Sequence, residues 1–211
     1  YYVDKSMLIG DILSFNDSGV YLFTRPRRFG KTTNLTMLDA FFNLEYKGNT
    51  WFDGLEISNH PEFDCYKNAF PVVMINLKKT KADTFSSFVN HMRSVLNNTF
   101  DRFRYLMKSD LVYDDEKDLF DRVLRRSIEE DFIIECVPVL CRMLERHHGV
   151  KPIILIDEYD RAVSDAFGSE SHRPMMDLIG GLLGASLKNN DSLQMAYVTG
   201  IMQIAKESIF S

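Results

Sequence analysis

Val20-Tyr21-Leu22-Phe23-Thr24-Arg25-Pro26-Arg27-Arg28-Phe29-Gly30-Lys31-Thr32-Thr33 is the stretch on which the reading of this chain turns. A short apolar run, with the character of a buried strand, passes into a basic segment and ends in Gly-Lys-Thr. Beyond it, Leu35, Leu38, Phe41 and Phe42 recur at helical spacing, which predicts a helix over Lys31 to Phe42. Strand, loop and helix in that order is the setting of a phosphate-binding loop. There, backbone N–H groups and a helix start cradle phosphates, a lysine reaches the outer phosphates, and a hydroxyl holds magnesium. Lys31 and Thr32 have those residue types, and Gly30 allows the tight turn into the helix. The front of the loop departs from the pattern, because Arg25 stands where the first glycine is expected. Two readings are open: a phosphate site made by Arg25, Pro26, Arg27, Arg28, Phe29, Gly30, Lys31, Thr32 and Thr33, or a solvent-facing basic turn.

A second segment bears on that choice. Ile153-Ile154-Leu155-Ile156-Asp157-Glu158 is an apolar strand ending in two carboxylates. Its run is apolar on both faces, as a parallel sheet covered by helices requires. Asp157 is placed to serve a magnesium ion, and Glu158 to orient or deprotonate an attacking water. The bland alternative is a strand that ends in a solvated acidic loop. Met195-Ala196-Tyr197-Val198-Thr199-Gly200 is a further strand with a hydroxyl at its end. Thr199 either faces the attacking water or caps backbone. If it faces the water, strand 195–199 lies between strands 20–23 and 153–156.

The remaining pattern is that of one α/β domain. The chain has 211 residues, 45% hydrophobic and 26% charged, enough for a core of its own. Helices are expected at 5–13, from a Thr84 cap to about Asn98, within 100–131 with a break at Asp114-Asp115-Glu116, at 132–146 and at 175–187. Val72 to Leu77 is another strand, and residues 45–70 are irregular. The formal charge of −5 gives no global case for gripping nucleic acid. Three cysteines, Cys65, Cys136 and Cys141, form no metal-ligand spacing and point to a reducing compartment, hence a cytoplasmic location. No apolar run approaches a membrane span.

His147-His148 read as a helix end rather than a metal site. Trp51 and Phe52 read as a small satellite core, with Trp51 or Tyr2 as rival neighbours for a base. Arg122, Arg125 and Arg126 read as a solvated face. The absence of an initiator methionine, and the stop at Ser211, suggest one domain spanning 1–211 cut from a longer protein.

Tyr2-Val3-Asp4-Lys5, the Arg-Pro-Arg-Arg-Phe-Gly-Lys-Thr string at 25–32, Leu155-Ile156-Asp157-Glu158-Tyr159-Asp160, and Thr199-Gly200-Ile201 through Ile204-Ala205-Lys206-Glu207-Ser208-Ile209-Phe210-Ser211 together resemble the bacterial AAA-ATPase-like domain family. The resemblance implies a three-layer P-loop NTPase fold of the additional-strand (ASCE) class with a mostly parallel sheet. Arg25 in place of the first glycine is ordinary in that family. By matching motifs, Lys31 and Thr32 carry over as phosphate and magnesium residues, and Asp157 and Glu158 as the acidic pair of Walker B type. Asp160 matches a recurrent acid without an assigned role. The family also implies a following C-terminal domain similar to restriction-endonuclease-like nucleases.

Two positions depart from the family. The chain reads Asp160-Arg161-Ala162 after the acidic pair, and it has Gln203 where many relatives carry an arginine before Ile-Ala-Lys. The expected function is magnesium-dependent ATP binding with slow hydrolysis coupled to conformational change. The alternatives are a nucleotide-dependent regulatory or interaction module with little turnover, a DNA-associated ATPase, and a small-molecule kinase. A homo-oligomer that supplies an arginine in trans is compatible with Gln203.

Overall fold

In a computed structural model, residues 4–14, 19–26, 28–78, 80, 82–161 and 170–200 are described. Four strands, β1 (Val20–Thr24), β2 (Val72–Asn76), β3 (Ile153–Asp157) and β4 (Met195–Gly200), form one all-parallel sheet in the order β1-β4-β3-β2. The expected position of strand 195–199 between the other two is therefore observed. β3 is buried along its whole length, as its unbroken Ile-Ile-Leu-Ile run anticipates. β1 is only half-buried, in contrast to the buried strand expected; among the described residues it has one neighbour in the sheet, β4.

Strand periodicity divides the side chains between two cores. Ile153, Leu155, Met195 and Tyr197 face one side, where they pack with Leu35, Leu38, Phe41 and Phe42 of α2 (Lys31–Phe42) and with Ile9, Ile12 and Leu13 of α1 (Met7–Ser14). Ile154, Ile156, Ala196 and Val198 face the other, larger core. Four helices cover that second face. They are α4 (Phe85–Asp101), α5 (Asp114–Leu124), α6 (Ile133–His148) and α7 (His172–Leu187). The result is three layers, helix on sheet on helix.

Local signals account for most boundaries. The Thr84 hydroxyl accepts the Ser87 amide at 3.3 Å and starts α4. Gly149, at φ 71°, ends α6 in the left-handed conformation that glycine tolerates. The segment expected to be irregular holds two 3₁₀ turns, Leu44–Tyr46 and Glu56–Asn59, and one helical turn, α3 (Phe63–Tyr66).

The expected break at Asp114-Asp115-Glu116 is a correction. These acids form the first turn of α5, where negative charge meets the positive end of the helix. Buried Glu116 accepts from the Tyr113 amide at 3.4 Å and pairs with Arg146. The irregular stretch lies before them, at 109–113.

The satellite core forms only in part. Phe52 is buried edge-on against Phe41, whereas Trp51 remains exposed and packs its ring on Tyr46. His147 and His148 hydrogen-bond to Ser109 and Tyr105, each at 2.8 Å. Arg122 pairs with Glu129 and Arg125 with Asp121, consistent with a solvated basic face.

Candidate functional site

The site lies at the C-terminal ends of the parallel strands, where an α/β sheet opens its ligand crevice. β1 delivers Arg25, Pro26 and residues 28–30 there. The loop is tied to β4 by the Arg25 amide, which donates to the Gly200 carbonyl at 3.2 Å. The Arg25 guanidinium lies over the Phe23 ring, 5.2 Å from its centroid. Arg28 and Gly30 both have positive φ, 69° and 76°. Two left-handed residues around Phe29 turn the chain sharply into α2. For Arg28 that conformation costs about 1 kcal/mol, so the loop stores strain that a glycine would not. Phe29 projects outward and is 62% exposed. Arg27 lies outside the described residues.

Lys31 is the first residue of α2 and is nearly buried. Its ammonium reaches back across the loop and donates to the carbonyls of Arg25 at 2.7 Å and Pro26 at 3.1 Å. The loop thus closes on its own lysine. Thr33 follows on the exposed side of the same helical turn.

Thr32, one residue on, points toward β3. Its hydroxyl donates to Asp157 Oδ2 at 2.9 Å. The other carboxylate oxygen, Oδ1, accepts from the Thr199 hydroxyl at 2.7 Å. Strand order explains this bracket. β4 lies between β1 and β3, which places Thr199 beside Asp157, while α2 crosses the sheet and brings Thr32 from the other side. Asp157 is 2% exposed and Thr199 is fully buried. A carboxylate in such a position needs its lone pairs met, and two hydroxyls meet them.

Glu158 follows β3 directly, with φ 54°. This backbone turns its side chain away from the sheet, toward the cleft. The Tyr159 amide returns to the Thr199 carbonyl at 3.1 Å, and the Arg161 amide to the Glu158 carbonyl at 3.1 Å, which closes a tight turn. Arg161 Nη1 lies 3.7 Å from Glu158 Oε2. Tyr159 and Asp160 are buried beneath.

A cleft of about 470 Å³ separates these groups. Arg28 and residues 30–33 form one wall; Glu158, Arg161 and Lys78 form the other. Among the described residues, four cations face one carboxylate in a chain whose formal charge is −5. The arrangement attracts an anion, and a helix N-terminus opens into it.

The structure brings Arg28, Gly30, Lys31, Thr32, Thr33 and Glu158 to one cleft and sets Asp157 and Thr199 directly behind it. Arg25 and Pro26 contribute backbone carbonyls to Lys31 rather than lining the cleft. Tyr2 and Gln203 lie outside the described residues, whereas Trp51 is described but does not line the cleft.

Sequence reasoning missed Lys78 and treated Arg161 only as a departure from a pattern. Lys78 carried a usable signal: it stands just after a parallel strand, at the edge of the sheet where such folds bind ligands. Among the described residues there is no cluster of three His, Cys, Asp or Glu side chains suited to a metal ion, and no helix is long and apolar enough to cross a membrane.

A family model described as "Predicted AAA-ATPase", AAA-ATPase-like, matches residues 1–210. No curated protein and no solved structure matches the chain. The chain belongs to the AAA-ATPase-like family.

Proposed function

We propose that this member of the AAA-ATPase-like family binds ATP with a magnesium ion in the cleft between residues 25–33 and 157–161, and hydrolyses it slowly. The observation that carries this reading is the Thr32–Asp157 hydrogen bond of 2.9 Å. It joins the loop-helix element to the acidic strand end across 125 residues of sequence. A basic turn facing solvent has no reason to seat its hydroxyl on a buried carboxylate. The β1-β4-β3 order supports assignment to the additional-strand (ASCE) class of P-loop ATPases.

The residues fit magnesium. Thr32 Oγ1 and Asp157 Oδ2 are hard oxygen donors, already adjacent. Magnesium is commonly held by one or two protein oxygens together with phosphates and water. When bound, it would supply charge neutralisation at the phosphates. Thr32 and Asp157 would hold it, directly or through water. Lys31 would exchange its two carbonyl partners for phosphate oxygens, with Arg28 and the N–H groups of residues 30–33 beside it. Glu158, aimed into the cleft, would orient the attacking water and accept its proton. Thr199 would keep Asp157 Oδ1 engaged and its carboxylate fixed. The products are ADP and phosphate. Their release would pass a conformational change to a neighbouring domain, for which a C-terminal nuclease-like domain is the expectation from the family resemblance.

A second reading, binding with little turnover, draws on two contacts. Lys31 is held by the loop's own carbonyls, and Glu158 is held near Arg161. Both side chains must change partners before they can act. Binding and hydrolysis of ATP, measured with and without Mg²⁺ for wild type, Lys31→Ala and Glu158→Gln, test the two readings together. The ATPase reading expects Mg²⁺-dependent binding, loss of binding in Lys31→Ala, and binding without turnover in Glu158→Gln. Tight binding with no phosphate release in a single-turnover assay of wild type would favour the switch. Absence of saturable binding would overturn both.

A further inference from the structure

We propose that Lys78 is the residue by which the cleft distinguishes a nucleoside triphosphate from a diphosphate, acting from within the same chain. This inference rests on the reading of the cleft as a nucleotide site. Four cations line the cleft among the described residues. Lys31 is committed to the carbonyls of Arg25 and Pro26. Arg161 stands 3.7 Å from Glu158. Arg28 and Lys78 line the cleft as well, and neither side chain has a hydrogen bond or ion pair among the described residues; Arg28 belongs to the loop after β1, whereas Lys78 stands across the cleft from it. Its backbone is fixed all the same: the Lys78 amide donates to Asn76 Oδ1 at 2.9 Å, and the preceding Leu77 amide donates to the Asp157 carbonyl at 3.1 Å. A lysine whose backbone is anchored and whose head is free is suited to receive an anion.

The position of that head follows from the sheet. The loop leaves β1, and Lys78 leaves β2, the opposite edge. Asn76 is in register with Asp157, so the chain at Lys78 runs beside Glu158 on the side away from the loop. A polyphosphate held at one end by the loop and Lys31 must pass the Thr32–Asp157 pair before it reaches Glu158 and Lys78. On that path the last phosphate would be the one nearest Glu158 and Lys78. A diphosphate would stop short and leave Lys78 in water, whereas a triphosphate would gain one charge-assisted contact. Lys78 would also balance the charge that shifts onto the transferred group beside Glu158. A cation in cis at this point removes the need for a partner's arginine.

The test is calorimetric titration of ATP and of ADP, each with excess Mg²⁺, into the 211-residue chain as wild type, Lys78→Met, Lys78→Arg and Lys31→Ala. Lys78→Met is expected to weaken ATP about tenfold and ADP less than about twofold, the loss of a single charged contact, and Lys78→Arg to restore most of the difference. Lys31→Ala should weaken both nucleotides. Thermal melting should be the same for wild type and Lys78→Met, since Lys78 is exposed. Equal weakening of ATP and ADP in Lys78→Met, or no weakening of either, overturns the assignment while the nucleotide site stands. Failure of wild type to bind either nucleotide overturns the site and this inference together.

Discussion

Thr199 donates its hydroxyl to Asp157 at 2.7 Å, from the strand that separates the loop-bearing strand from the acidic one. This contact makes the inserted strand part of the site. Both partners are buried, so the bond is protected from competition by water. Replacement by valine keeps the shape and removes the donor. Thr199→Val should therefore destabilise the fold by about 1–3 kcal/mol through an unmet carboxylate oxygen. It should also lower Mg²⁺-dependent ATP affinity or turnover by about 10–100-fold, the usual effect of losing a partner that orients a metal-side ligand. Thr199→Ser should recover most of both. Urea unfolding and a Mg²⁺ titration of ATP binding measure the two effects separately.

Gly200, the next residue, has no room for a methyl group. A Cβ there would stand 2.7 Å from Cδ1 of the Tyr159 ring and 2.9 Å from Asp160 Oδ1. The Tyr159 ring is buried and cannot swing aside. Gly200→Ala should cost about 1–3 kcal/mol by overpacking. Because the Gly200 carbonyl receives the Arg25 amide, nucleotide affinity should fall as well. A thermal melt of Gly200→Ala against wild type, paired with ATP titration, tests both statements. An unchanged melting temperature would contradict the close packing of Gly200 against Tyr159.

Asn68 secures the far end of α2. At φ 53° it donates through Nδ2 to the carbonyls of Ala40 at 3.0 Å, Phe41 at 3.1 Å and Asn43 at 2.9 Å. The Ala40 and Phe41 carbonyls belong to the last turn of the helix, where no intrahelical partner is available, and the Asn43 carbonyl, just beyond it, also accepts the Tyr46 amide at 3.1 Å. Alanine would lose these contacts, which share the two N–H hydrogens of the amide, and sit poorly in the left-handed region. Asn68→Ala is expected to destabilise by about 2–4 kcal/mol. Lys31 lies at the opposite end of a helix of 12 residues, so nucleotide affinity at full folding should be retained. Urea denaturation with parallel binding at low denaturant distinguishes a stability defect from a site defect.

The three cysteines should differ sharply in reactivity. Cys65 is exposed; Cys136 and Cys141 are buried, and burial pushes both of those thiols up to about 12. A thiol reagent near pH 8 attacks thiolate, of which these two have almost none. One equivalent should react in the native protein, at Cys65, and three after unfolding. Mass spectrometry of the alkylated peptides identifies the site. Rapid native labelling of Cys141 would indicate that the core over the larger sheet face opens easily.

Much of this molecule can be read along the chain because the signals are local. The run of Ile153 to Ile156 demands burial on both faces and becomes a central strand, and Lys31 to Phe42 carries its helical stripe within its own twelve residues. Gly-Lys-Thr and the Asp157-Glu158 pair stand out by residue type and by their position at the ends of elements, and the fold brings them together. The acids at 114–116 show where local reading fails. Three consecutive carboxylates resemble a break until the helix end they stabilise is considered.

Other features depend on pairs far apart in sequence, and no local pattern encodes them. Thr32 meets Asp157 because a parallel sheet aligns the ends of its strands, and Thr199 joins them because β4 is inserted between β1 and β3. Lys31 turns back to the carbonyls at 25 and 26 through the positive-φ bend at Arg28 and Gly30, a backbone choice that arginine does not advertise. Lys78 is an ordinary surface lysine in the sequence. It enters the cleft because β2 ends beside β3, so the strand register, not the residue's own neighbours, sets which charges meet.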